Sequence, residues 1–139
     1  FYRNADYFAF VGRARAAGIT VPIVAGIMPI TNVAQIERIA GLSGATIPAD
    51  LQADLDRARG DEAAAREVGI AHATTQCREL LAGGAPGIHF YTLNQSPATS
   101  AILRQLRRDR TAAALHPDAA SDARGPAPST SRPAHTRWF

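Results

Sequence analysis

Few residues in this chain of 139 have the types and spacing for chemistry. His72 and Cys77 stand five positions apart, which does not set both on one helix face. No second pair completes a ligand set, so no metal site is expected. His89 is a lone histidine in an alternating apolar stretch and reads as a structural residue. Ser96 and Ser100 belong to no motif that would make either a nucleophile. Gly83, Gly84 and Gly87 follow a helical pattern where a phosphate-cradling loop would open one. Asn32 and Gln35 are more informative. Three residues apart, they match a capping box, and they sit just after a strand-like run, where α/β folds place their ligands.

The stretch that must position them is Val21 to Gly41, VPIVAGIMPITNVAQIERIAG. Val21, Ile23, Val24, Ala25 and Ile27 form a nearly continuous apolar run, which predicts a strand covered on both faces in a parallel sheet. Pro29 cannot extend a ladder, and Asn32 caps a helix starting near Val33 with an apolar stripe of Val33, Ile36, Ile39 and Ala40. Gly41 and Gly44 offer left-handed stops. Strand, loop and helix together have the size of one repeat of a β/α barrel. A whole barrel needs at least about 200 residues, so the chain supplies only part of one.

The remaining elements follow in order. Phe1 and Tyr2 read as the end of a strand, and a helix over Asn4 to Ala17 has Tyr7, Phe10, Val11 and Ala14 on one face. Pro48 and Asp50 begin another helix. From Asp61 to about Ala82 the apolar residues Ile70, Ala73, Cys77 and Leu80 recur at helical spacing, widened by Val68 and Leu81. Gly87 to Asn94, GIHFYTLN, is the last strand, with Ile88, Phe90 and Thr92 on one face and His89, Tyr91 and Leu93 on the other. Ser96 or Thr99 caps a final helix containing Ile102, Leu103 and Leu106. This divides the chain into a partial barrel over 1–108 and an alanine-, proline- and serine-rich tail over 109–139. The tail lacks the apolar periodicity to offset chain entropy and is expected to be disordered.

Composition narrows the function classes. The hydrophobic content of 46% suffices for a core, and the net charge of +3 comes entirely from arginine, with no lysine. The arginines are spread out and the aromatics lie in apolar runs, which does not suit a nucleic-acid surface. Arg104, Arg107, Arg108 and Arg110 gather near a helix end, where cations suit the dipole. The alternative is a noncatalytic module that uses this basic helix and the tail on an acidic partner. Cys77 is the only cysteine, so no intrachain disulfide forms and a reducing cytoplasm is expected. No apolar run reaches the 18 to 20 or so residues of a membrane span. The opening on Phe1, running directly into helix-like sequence, reads as a cut inside a larger chain.

PIVAGIMPITNVAQIERIAGLSGATIPADL and REVGIAHATTQCRELLAGGAPGIHFYTLNQS together resemble the C-terminal third of bacterial-type methylenetetrahydrofolate reductases, over roughly Phe1 to Leu106. The most specific pieces are GIMPITN, the IPA turn and HFYTLN. The resemblance implies the last repeats of a (β/α)8 TIM barrel in a flavoprotein that uses FAD to pass a hydride from NAD(P)H to 5,10-methylenetetrahydrofolate, giving 5-methyltetrahydrofolate. It places the general-acid glutamate, the aspartate near the flavin and most FAD contacts upstream of Phe1. No catalytic residue is therefore expected within the chain.

For substrate binding it points to Gln35, whose amide can both donate and accept toward a pterin or its tail. It also points to Ile39, apolar where the family often has phenylalanine or leucine. Tyr91, Leu93 and Gln95 follow from the last strand. Gln95 stands where many members carry arginine, and a glutamine cannot make a charge-assisted pair with a carboxylate. The chain alone is expected to be inactive, and the full-length enzyme to be a cytoplasmic homo-oligomer that engages neither nucleic acid nor membrane.

Overall fold

The computed structural model describes residues 1–92 and 96–115. In chain order these form α1 (Asn4–Ala16), β1 (Ala25–Ile27), α2 (Val33–Ser43), α3 (Ala49–Arg57), α4 (Glu62–Ala82), β2 (Ile88–Phe90) and α5 (Pro97–Leu115). The fold is mixed α/β: β1 and β2 pair in parallel, Ala25 with Ile88 and Ile27 with Phe90, and three helices lie between them in sequence. The chain divides into a unit of residues 1–107 and a second from Arg108, and the site belongs to the first.

Local capping sets several helix ends. Asn32 accepts a hydrogen bond from the backbone N–H of Gln35 at 3.1 Å, and Asp61 accepts from those of Ala63 and Ala64, so α2 and α4 start at side-chain caps. α2 passes through Gly41 and stops at Gly44, whose φ of 66° is left-handed. Of the two stops the sequence offered, Gly41 and Gly44, it is the second that adopts the left-handed backbone.

Two cores flank α4. Val33, Ile36 and Ala40 of α2, Leu51 and Leu55 of α3 and Ala65 of α4 form the first. The second gathers Tyr7 of α1, Ala25 and Ile27 of β1, Ala73, Cys77 and Leu80 of α4, and Ile102 of α5, with Ile88 and Phe90 packed against it. Gly69 lies between the two groups of core residues along α4. A Cβ there would overlap the backbone carbonyl of Ile30, falling 2.7 Å from its carbon, so only glycine lets α4 press against the loop that follows β1.

The structure corrects several expectations. The strand predicted from Val21 is three residues long, and Val21 and Val24 are 63% and 50% exposed, not covered. Ahead of β1 the backbone carbonyls bond to side chains instead: Arg15 Nη1 donates to Ile19 O and Val21 O, and the Tyr7 hydroxyl donates to Ile23 O at 2.7 Å. Phe1 and Tyr2 form no strand, and Tyr2 is buried in the first core. Phe10 is 52% exposed, leaving Tyr7, Val11 and Ala14 as the inward face of α1. α5 runs on to Leu115, so Asp109 to Leu115, assigned by composition to the tail, are helical, consistent with the strong helix propensity of their alanines. Residues 116–139 lie outside the described residues.

Candidate functional site

Because β1 and β2 are parallel, the segments leaving them emerge at the same end of the sheet. There they enclose a hollow of about 30 Å³. Met28, Pro29 and Thr31 reach it from the loop after β1, Gln35 from the first turn of α2, Tyr91 and Thr92 from the segment after β2, and Ala98 from α5. Its volume matches about one water molecule, well below the roughly 300–1,000 Å³ of ligand pockets. By itself the hollow is therefore too small to enclose an organic ligand.

Gln35 serves the cap and the hollow with different atoms. Its backbone N–H satisfies Asn32, while its exposed side-chain amide lines the hollow, with Oε1 3.5 Å from the Thr31 hydroxyl. The reciprocal arm of a capping box, from the Gln35 side chain back to Asn32 N–H, is not among the hydrogen bonds formed. The amide consequently keeps both NH2 protons for another partner.

Tyr91 is anchored by its backbone N–H donating to Ile27 O at 2.8 Å, and its ring is 52% exposed. His89 meets that ring edge-on, with centroids 4.9 Å apart. Ile88 and Phe90 point the other way into the core, so the predicted alternation of faces holds over these residues. Gly26 pairs with His89 across the sheet, and the Tyr91 ring lies over it.

The other candidates separate. Ile39 is half-buried one turn along α2 and does not line this hollow. Leu93 and Gln95 fall outside the described residues. Cys77 is buried, and burial pushes its thiol up to about 11, which keeps it protonated and inert. His72 lies in a separate groove between α3 and α4 with Asp50, Asp54 and Glu67. Its Nε2 is buried without a hydrogen-bond partner, and burial lowers its pKa below 6.5 against the smaller opposing effects of a hydrogen bond to the Tyr2 backbone and of Asp50 and Glu79. Among the described residues no group of histidine, cysteine, aspartate or glutamate side chains is arranged to hold a metal ion, and no helix is long and apolar enough to cross a membrane.

Met28, Thr31, Thr92, Ala98 and Gly26 did not stand out in the sequence as site residues. Thr31 carried a usable signal, since it follows the strand and precedes the cap. Ala98 carried none, because only packing brings α5 to this place.

A family model described as methylenetetrahydrofolate reductase matches residues 1–107. A methylenetetrahydrofolate reductase (NADH) 1 of Zea mays is 40% identical over 106 residues, covering 76% of this chain and 18% of the relative. A probable methylenetetrahydrofolate reductase (NADPH) of Caenorhabditis elegans is 39% identical over 107 residues, covering 76% and 16%. The 5,10-methylenetetrahydrofolate reductase of Escherichia coli K12 is 32% identical over 106, covering 76% and 36%. The chain thus spans under a fifth of these plant and animal relatives and little over a third of the bacterial one.

Proposed function

The chain belongs to the methylenetetrahydrofolate reductase family, and from that membership we propose that its described residues form part of the folate-binding wall of an enzyme of one-carbon metabolism. In this reading the enzyme reduces 5,10-methylenetetrahydrofolate to 5-methyltetrahydrofolate with NADH or NADPH. The observation that carries the reading is the meeting of Gln35 and Tyr91, far apart in sequence, in one hollow at the shared end of two parallel strands. That is where β/α barrels hold ligands, and the pair fits two adjacent staves of such a barrel.

FAD is the proposed cofactor and would supply the hydride chemistry. A hollow with room for about one water does not enclose a flavin, so the residues around it do not by themselves form the flavin's site. Their part is binding and orientation. The Gln35 amide donates to and accepts from the polar edge of a pterin, and the Tyr91 ring offers apolar surface to its planar face. Ile39, Leu93 and Gln95 are proposed to extend the contact, Gln95 through neutral hydrogen bonds. The full-length enzyme is proposed to be a cytoplasmic homo-oligomer that engages neither nucleic acid nor membrane.

The test is titration of the chain with 5-methyltetrahydrofolate, followed by 1H–15N NMR. Signals of Gln35 and Tyr91 should shift saturably, and Gln35→Ala should weaken the binding at least about fivefold, the loss of roughly one hydrogen bond. Saturating ligand that leaves both signals unmoved would refute the assignment.

A further inference from the structure

The sheet face opposite the second core carries a gap that governs Tyr91. A Cβ built on Gly26 would fall 2.6 Å from Tyr91 Cε2 and 3.3 Å from its hydroxyl oxygen, closer than side-chain atoms approach without displacement. Gly26 is in β1 and has no left-handed backbone angle, so the requirement is for space alone. Tyr91 stands one position beyond the Ile27–Phe90 pair, and its ring leans back along the sheet to cover Gly26. The His89 ring braces it edge-on. Half exposed, the ring at the same time borders the hollow where the Gln35 amide ends.

We propose that Gly26 is a positioning residue: its missing side chain lets the Tyr91 ring lie across β1 as a stacking floor for a planar heteroaromatic ligand whose polar edge is held by Gln35. With any larger residue at 26, the Cβ would overlap the ring and displace it from the strand, so that it no longer lies flat beside Gln35. The inference rests on the folate reading for the identity of the ligand and on the geometry for the role of Gly26.

The experiment uses the 139-residue chain, its Gly26→Ala and Tyr91→Ala variants and the double variant, with 5-methyltetrahydrofolate as probe. In the wild type the Gly26 Hα protons should be shifted upfield by the ring current of Tyr91, and Tyr91→Ala should abolish the shift. Gly26→Ala should change the His89 ring-proton shifts and weaken binding about tenfold. Gly26→Ala added to Tyr91→Ala should cost no further affinity, because Gly26 acts through the ring. Circular dichroism checks that each variant folds. Tyr91→Ala, which removes atoms and introduces no clash, carries the test if Gly26→Ala does not fold.

Unshifted Gly26 protons in the wild type, or full additivity in the double variant, would overturn the proposal. Binding that Gln35→Ala weakens and neither Gly26→Ala nor Tyr91→Ala affects would overturn it while leaving the folate reading intact. A wild type that does not bind the probe would remove the folate reading and the ligand role of Gly26 with it.

Discussion

At residue scale, single atoms separate roles that the sequence merges. Gln35 is both cap partner and candidate ligand residue: its backbone N–H makes the cap, and its side chain takes no part in it and is left for the proposed role beside the hollow. Gln35→Ala should therefore leave the helix start intact, whereas Asn32→Ala should lower stability by about 1 kcal/mol, the usual worth of an N-cap. Urea denaturation of the two variants distinguishes them. At Gly69 the contact is with backbone that cannot rotate away, so Gly69→Ala should destabilise by about 1–3 kcal/mol, as overpacking does, and shift the signals of the loop around Ile30.

His72 makes a prediction about pH. Burial depresses its pKa in the folded chain below 6.5, so as pH falls through 6.5 the unfolded chain takes up the proton first. This contribution to stability is intact above that value and is lost on acidification. The hydrogen bond to the Tyr2 backbone and the charges of Asp50 and Glu79 oppose the shift without reversing its sign. The urea midpoint should fall between pH 7.5 and 5.5, and His72→Gln should flatten that fall.

At the scale of elements, α4 ties the parts together. Its first half packs under α2 and α3 and its second half under the sheet, α1 and α5. Leu80 and Ile102 are fully buried where α4 and α5 meet the sheet, and Thr74 Oγ1 lies 2.8 Å from the side-chain oxygen of Gln105 across the same two helices. Leu80→Ala should cost about 2–5 kcal/mol, and Ile102→Ala a similar amount. Ala98 belongs to the same helix as Ile102, so Ile102→Ala should also perturb the hollow. Leu103, 40% exposed on α5, should tolerate alanine with little change in thermal midpoint.

At the scale of the molecule, the chain is a part measured against its relatives, spanning 36% of the Escherichia coli reductase. Its described strands number two, and the face bearing Val24, Gly26 and Tyr91 is left open by the described residues. Supplied with NADH, FAD and methylenetetrahydrofolate, the chain alone should show no turnover above a protein-free control. Measurable production of methyltetrahydrofolate would overturn the view that the chemistry needs residues beyond this chain.

What the sequence determined by itself was local or shared with relatives. The helix starts at Asn32 and Asp61 and the stop at Gly44 depend on atoms within about five residues of one another, so neighbours along the chain were enough to specify them. The family followed from motifs carried whole, such as GIMPITN and HFYTLN. The tertiary structure alone decided which apolar residues are covered, because cover comes from distant segments. Val21 and Val24 read as core and are open, since no described segment lies over them. It alone also brought Tyr91 down onto Gly26 and Ala98 up to Gln35: these are meetings through space, set by packing around α4, and no spacing in the chain encodes them.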